Sequence, residues 1–195
     1  MARPRADDYE LKRQSILDKA AVLFAAQGFA STSIASIALY CNVSKSLLYH
    51  YYDSKEALLF DMLKTHCALL VETAKEAVNE SEKPEEQLSK LIHSLLSIYM
   101  SSRDKHVILL NDLHCLPKEQ QDEVRDLERA VVRAFKEIVG KLKPQMGADE
   151  LSATAMYLMG AINWTYTWFK PDGRLSEERF ADMSTTLFLS GITQS

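Results

Sequence analysis

Apolar residues recur along most of this chain at intervals of three and four positions, which is the spacing of one face of an α-helix. The sequence has no strand-like runs of β-branched residues bounded by turn residues. The pattern predicts helices over residues 9–27, 34–41, 45–51, 55–79, 84–102, 104–113, 118–142, 148–169 and 177–190. The predicted fold class is therefore all-α, with about nine helices.

Residues that favour helix ends stand at these predicted boundaries. Gly28 follows the first helix, where glycine commonly ends a helix, and Asn42 occupies the turn before the third helix, where φ is expected to be positive. Candidate N-caps precede several helices: Ser33, Ser44, Asp53 or Ser54, and Ser176. The short turn at Asn42 predicts a helix-turn-helix over residues 34–51.

The second helix of this unit, KSLLYHY, mixes aromatic rings with polar groups. Four apolar residues are predicted to pack between the two helices: Ile37, Cys41, Val43 and Leu48. The opposite face then exposes four groups that suit phosphates and base edges, namely Lys45, Ser46, Tyr49 and His50. Tyr51 and Tyr52 are expected to be structural, one packing under the first helix and the other against the fourth. An ordinary packed helical hairpin is the alternative.

Flanking residues extend the predicted DNA-contacting surface. Thr32 and Ser33 can offer hydroxyl and backbone N–H groups to a phosphate at the start of the second helix. Lys45 and Lys55 bracket the third helix with positive charge. The predicted set is Thr32, Ser33, Ser44, Lys45, Ser46, Tyr49, His50 and Lys55.

The stretch GFASTSIASIALYCNVSKSLLYHYYDSKEAL, residues 28–58, resembles the DNA-binding signature of the TetR family of repressors. The match covers nearly every signature position and departs at Asn42, usually Gly, at Ser46, often Gly, and at Tyr52, usually Phe. The resemblance implies a homodimer with a helix-turn-helix DNA-binding domain over residues 1–54. It also implies a ligand-binding and dimerisation domain over residues 55–195, with repression relieved by the ligand.

Charge distribution agrees with a DNA-binding head. Residues 1–55 carry seven Lys and Arg against five Asp and Glu, whereas the whole chain has a net charge of -4. The chain has no long apolar run that would span a membrane and no secretory leader at its start, so a cytoplasmic location is expected. The three cysteines are expected to be reduced thiols.

The helix over residues 148–169 carries two apolar stripes. One contains Leu151, Ala155, Leu158, Ile162 and Phe169, and the other contains Tyr157, Ala161, Trp164 and Trp168. A helix that is apolar on two sides needs two partners, so the second stripe is predicted to meet another subunit. The last helix, with Phe180, Met183, Leu187 and Phe188, is expected to complete a four-helix dimer interface.

A ligand pocket is predicted in the same part of the chain. Its candidate lining residues are Tyr99, Arg103, Asn111, His114, Trp164 and Trp168. Arg103 suits a phosphate or carboxylate, and the tryptophans suit a bulky apolar group. The alternatives are that the tryptophans only anchor the dimer and that Arg103 ends a solvated helix.

Metal binding and catalysis are not supported by the residue patterns. His106, Asp112, His114 and Cys115 include zinc-ligand types, but their spacing matches no standard site, so no metal is predicted. No Gly-rich phosphate loop and no hydrolase motif occur, so neither a cofactor nor enzyme activity is predicted. A helical enzyme or carrier remains the alternative from another class.

Two tail segments, residues 111–129 and 160–183, resemble a TetR subgroup tied to catabolism of fatty, aromatic or steroid-derived acids. Some members of that subgroup answer to CoA thioesters. The resemblance implies an operator in double-stranded DNA and a hydrophobic or acyl-CoA-type inducer. A drug-responsive regulator of an efflux gene is the competing expectation.

Overall fold

A computed structural model describes the backbone of residues 3–78 and 83–194, and the side chains of residues 8–78 and 83–192. Within these ranges the chain is helical, without strands. The α-helices are α1 Arg3–Gln27, α2 Ile34–Cys41, α3 Lys45–Tyr51, α4 Lys55–Ala77, α5 Pro84–Ser101, α6 Arg103–Asp112, α7 Lys118–Leu142, α8 Ala148–Asn163, α9 Thr165–Trp168 and α10 Glu177–Gln194. A short 3-10 helix, Leu113–Cys115, follows α6. The predicted all-α class is confirmed.

Two helix predictions differ from the structure. Helix α1 begins at Arg3 rather than near Tyr9, and Pro4 lies in its first turn, where a missing N–H is tolerated. The helix predicted over 148–169 is interrupted at Trp164, and the Thr165 hydroxyl donates to the carbonyl of Ile162 at 2.7 Å, competing with the helical hydrogen bonds. The predicted last residue of the fourth helix, Asn79, lies outside the described residues.

Side-chain caps define the starts of several helices as predicted. The Ser33 hydroxyl oxygen accepts the N–H of Ser36, and the Ser36 hydroxyl oxygen accepts the N–H of Ser33, both at 3.0 Å. Ser44 and Ser54 each accept an N–H from three residues later at 3.0 Å. Gly28 ends α1 with a φ of 79°, a conformation that glycine adopts without strain. These boundaries are therefore encoded locally.

The chain divides into two compact units. Unit 1 contains residues up to His66 together with Asp104–Val124, and unit 2 contains Cys67–Arg103 and the chain from Arg125 onward. The sequence placed a boundary after residue 54. In the structure, unit 1 also contains the first half of α4 and the segment around α6, which is distant from the helix-turn-helix in sequence. Helix α4 thus contributes residues to both units.

Unit 2 is built on the packing of α5 against α10 and α8. Its core contains leucine, isoleucine and aromatic side chains that are buried almost completely, among them Leu91, Leu95, Phe135, Leu158 and Ile162. Outside this core, Nε2 of His93 on α5 lies 3.0 Å from a carboxylate oxygen of Asp182 on α10, within hydrogen-bond distance. None of the helices in the described ranges is long and apolar enough to cross a membrane.

Unit 1 buries two histidines against each other. His66 on α4 and His106 on α6 are both nearly inaccessible to solvent, and their ring centroids are 5.8 Å apart. Burial lowers the pKa of His66 to about 4, with a further contribution from Lys105. Burial and the neighbouring His66 lower the pKa of His106 to about 3. Both imidazoles are therefore neutral in the folded protein near pH 7.

This pair should make the protein acid-sensitive. In the unfolded chain each imidazole takes up a proton near pH 6.5, so below that pH the unfolded state binds more protons. The contribution of the two neutral imidazoles to the free energy of unfolding should be fully present above about pH 6.5. It should fall as the pH drops toward 4, by up to about 1.4 kcal/mol per pH unit for each histidine. Urea unfolding between pH 4 and pH 7.5 measures this slope. Replacing either histidine by phenylalanine should reduce it. An unchanged slope in His66→Phe and His106→Phe would refute the assignment.

Candidate nucleic-acid interface and ligand site

The turn between α2 and α3 fixes how α3 is presented. Asn42 adopts the left-handed conformation, with φ 56° and ψ 48°, as predicted. Its N–H donates to the carbonyl of Leu39, and the next N–H donates to the carbonyl of Ala38, each at 3.0 Å. The small Ala38 is buried where α2 and α3 meet, together with Leu48 of α3. These contacts hold α3 by one face only.

The other face of α3 is polar and exposed. Lys45, Ser46, Tyr49 and His50 all lie on it, and 51% of Tyr49 is accessible to solvent. Ser44 is also exposed, and its hydroxyl accepts the N–H of Leu47 as the N-cap. Within the described residues the side chains of Lys45, Ser46 and Tyr49 make no hydrogen bond or ion pair, so they are available to a ligand on this face.

The two tyrosines that follow are structural, as the sequence predicted. Tyr51 stacks on Tyr9 of α1 with ring centroids 4.6 Å apart. Tyr52 is buried, and its hydroxyl donates to Asp61 of α4 at 2.6 Å. Asp61 is also paired with Arg13 of α1. Burial, followed by the bond to Asp61, raises the pKa of Tyr52 above its usual value. The end of α3 is therefore tied to α1 and α4.

Two residues of the predicted DNA-contacting set are used inside unit 1 instead. Thr32 is only 1% exposed, and its hydroxyl donates to the carbonyl of Gly28 at 2.9 Å. The Lys55 ammonium donates to the carbonyls of Phe29 at 2.7 Å and Thr32 at 2.9 Å, and it lies 4.2 Å from the centre of the Phe29 ring. Both side chains therefore stabilise the loop after α1. Ser33 remains exposed, with its hydroxyl in the N-cap of α2.

The residues predicted to line a ligand pocket fall in both units. Tyr99 is buried in the core of unit 2, where desolvation raises the pKa of its phenol. Arg103 is exposed and donates to the carbonyl of Tyr166 at 2.9 Å. Trp164 is 63% exposed, whereas Trp168 lies edge-on against Phe180 with centroids 5.3 Å apart.

The other two predicted pocket residues belong to unit 1. Asn111 is exposed and donates to the carbonyl of Val107 at 2.8 Å, and the exposed His114 has Nε2 3.6 Å from the sulfur of Cys115. His114 is thus exposed while His106 is buried, and no group of three or more His, Cys, Asp or Glu side chains in the described chain is placed to hold a metal ion. Within neither unit does the structure gather the six predicted ligand-binding residues around one cavity.

An apolar groove of about 640 Å³ lies between α8 and α10 of unit 2, outside the predicted set. It is lined by Met146, Glu150, Ala153, Thr154, Tyr157, Leu187, Phe188, Gly191 and Ile192. Three of these residues, Tyr157, Leu187 and Phe188, belong to the apolar positions that the sequence predicts for the dimer interface. The others lie one helical turn away or at the helix ends, where the apolar periodicity alone gives little signal.

The two stripes predicted on α8 differ sharply in burial. Ala155, Leu158 and Ile162 of the first stripe are buried in unit 2. The second is open: Tyr157 is 74% exposed, and Leu187 on α10, beside the same groove, is 65% exposed. We refer to Tyr157, Met183 and Leu187 together with the groove as the exposed apolar face. Monomeric proteins rarely leave such large apolar side chains grouped in water.

Comparisons with known proteins match both the N-terminal and the C-terminal part of the chain to related families. A family described as bacterial regulatory proteins, tetR family, matches residues 16–62, and a family described as tetracyclin repressor-like, C-terminal domain, matches residues 81–192. The HTH-type transcriptional repressor KstR2 of Mycolicibacterium smegmatis is 26% identical over 192 residues, covering 94% of this chain and 92% of the relative.

Solved structures give the same result. A TetR-family transcriptional regulator from Bordetella parapertussis is 38% identical, with a TM-score of 0.87, and the match covers 94% of this chain and 96% of that one. AibR, in complex with isovaleryl coenzyme A and operator DNA, is 27% identical, with a TM-score of 0.80 over 90% of this chain and 97% of AibR. The first two of these three proteins are described as transcriptional regulators, and AibR is described with operator DNA. The protein belongs to the TetR family of bacterial transcriptional regulators.

Proposed function

We propose that this TetR-type repressor binds a palindromic operator as a homodimer and is released from it by an acyl-CoA-type inducer. The observation that carries the proposal is that the single chain exposes two surfaces suited to contact with other molecules. One is the polar face of α3 in unit 1, and the other is the exposed apolar face of α8 and α10 in unit 2. The first suits DNA and the second suits a second copy of the chain.

Operator contact is assigned to the polar face of α3. Lys45 can pair with a phosphate or a guanine, and Tyr49, His50 and Ser46 can donate to base edges or phosphates. The exposed N-termini of α2 and α3, capped by Ser33 and Ser44, add backbone N–H groups that suit phosphates. Thr32 and Lys55 are left out of this surface because their polar atoms are already bonded within unit 1.

Dimerisation follows from the exposed apolar face. A two-fold axis brings the same patch of each copy together, so α8 and α10 of both chains would form one interface. Two α3 helices related by that axis would read half-sites of opposite direction, about 34–36 Å apart on B-DNA. This symmetry is the physical reason for a palindromic operator.

The inducer class rests on relatives and on local chemistry. AibR is described in complex with isovaleryl coenzyme A, and KstR2 is described as a ketosteroid transcriptional regulator. In this chain the Arg103 guanidinium donates a hydrogen bond to the carbonyl of Tyr166. Tyr166 lies between Trp164 and Trp168 in the sequence, and its ring contacts that of Trp164. A cation is therefore bonded to a segment of unit 2 that is rich in aromatic rings. A phosphate-bearing thioester needs both groups.

Release from DNA requires that the inducer bind one arrangement of the dimer better than another. A difference of about 3 kcal/mol would lower operator affinity about a hundredfold. The test begins with an operator selected from randomised double-stranded DNA. Gel-shift titrations with isovaleryl-CoA, a longer acyl-CoA and free CoA should show release by a thioester and not by free CoA. An operator complex that survives every thioester tested at millimolar concentration would refute the inducer assignment.

Tryptophan emission should report the inducer directly, because both tryptophans of the chain lie at positions 164 and 168. A bound thioester is expected to quench or shift the emission over the same concentrations that release DNA. Trp164→Ala should keep operator binding and lose release. If Trp164→Ala instead forms monomers, the tryptophan is a dimer anchor and the ligand site lies elsewhere.

A further inference from the structure

Leu47 is an apolar residue on the face of α3 that the proposed function gives to DNA. Its side chain is 37% exposed, whereas the neighbouring Leu48 is fully buried. The two leucines therefore point in different directions, and the packing of α3 rests on Leu48. The backbone of Leu47 is fixed at the start of the helix, where its N–H donates to the Ser44 hydroxyl at 3.0 Å.

On one side of Leu47 the neighbouring residues on the helix surface are polar. At 100° per residue, His50 lies about 60° from Leu47 around the helix, and Ser46 lies about 100° from it on the same side. Both neighbours are exposed. Leu47 thus borders the groups that can hydrogen-bond to bases, yet it can neither donate nor accept a hydrogen bond. Its contact with DNA has to be apolar.

The major groove displays one apolar group, the C5 methyl of thymine. We propose that Leu47 packs against a thymine methyl and specifies a T at one position of each operator half-site. This assignment rests on the proposed function, because it requires that α3 enter the major groove. Leu47 would recognise the DNA sequence by an apolar contact, whereas its polar neighbours would recognise it by hydrogen bonds.

Uracil is the sharpest probe, because replacing thymine by uracil removes the methyl group and leaves every hydrogen-bonding group in place. On the selected operator, each thymine is replaced in turn by uracil, and affinity is measured by fluorescence anisotropy. For wild-type protein we expect a loss of about fourfold at one thymine per half-site, the effect of exposing one methyl group. Substitution in both half-sites should give about fifteenfold.

Leu47→Ala should bind the thymine operator more weakly than wild type and should be indifferent to uracil at that position. Leu47→Met, which keeps an apolar side chain of similar volume, should retain the discrimination. Leu39→Ala provides a matched control, because Leu39 is 83% exposed but lies on α2. It should discriminate thymine from uracil as the wild type does. Circular dichroism verifies that each variant is folded.

The outcomes separate this assignment from the proposed function. If wild-type protein binds no double-stranded DNA, the proposed function fails and the assignment fails with it. If wild type binds its operator but no uracil substitution weakens binding, only the assignment is overturned. It is also overturned if Leu47→Ala distinguishes thymine from uracil as strongly as wild type does.

Discussion

Replacing Leu187 by glutamate is expected to convert the protein into a 22.1 kDa monomer and to weaken operator binding more than a hundredfold. Leu187 is 65% exposed in the single chain, so the carboxylate would leave the fold of unit 2 intact. In a two-fold interface the substitution occurs twice, and each buried carboxylate costs several kcal/mol when it has no partner. A monomer holds only one α3 and therefore one half-site.

Light scattering at micromolar concentration measures the mass, and anisotropy with a labelled operator measures the affinity. Leu69→Glu is the matched control, because Leu69 is 49% exposed on α4, outside the exposed apolar face. That variant should remain a dimer and bind normally. A dimeric Leu187→Glu, or a monomer that binds the operator as tightly as wild type, would exclude the proposed interface.

The second large effect is expected at α3. Lys45→Ala and Tyr49→Ala should each weaken operator binding about ten- to hundredfold without unfolding the protein. Both side chains are exposed and make no hydrogen bond or ion pair within the described part of the chain, so their removal leaves the packing of α3 unchanged. Because Lys45 is charged, its loss should also reduce the dependence of affinity on salt concentration.

Controls for these variants come from residues of the same type elsewhere. Tyr40 is 49% exposed on α2, close to the 51% of Tyr49, and Lys118 is an exposed lysine at the start of α7. Tyr40→Ala and Lys118→Ala should have much smaller effects on affinity. Normal operator affinity of Lys45→Ala and Tyr49→Ala, with helicity intact, would remove α3 from the interface.

The helix-turn-helix was predictable because its signals are local. Ser33, Ser44 and Ser54 cap helices within three residues of themselves, and Asn42 tolerates the left-handed turn by virtue of its own side chain. The structural roles of Tyr51 and Tyr52 also followed from the sequence, since a short helix cannot expose every ring. In these cases the residue and its immediate neighbours determine the structure.

Other assignments depended on contacts that the sequence does not display. Thr32 and Lys55 are polar residues beside a predicted recognition helix, yet the fold brings carbonyls of the loop after α1 against both of them. The predicted ligand residues have side chains of suitable types, but tertiary packing buries Tyr99 and leaves Trp164 exposed. The pairing of His66 with His106 joins residues 40 positions apart and was likewise not predictable from spacing.

Sedimentation velocity of a fluorescent selected operator tests the central claim most directly, because it reports binding, stoichiometry and release in one experiment. We predict that the operator sediments with two 22.1 kDa chains and returns to the position of free DNA when a saturating acyl-CoA is added. An operator that stays free, that carries a single chain, or that remains bound at every concentration of thioester would contradict the account.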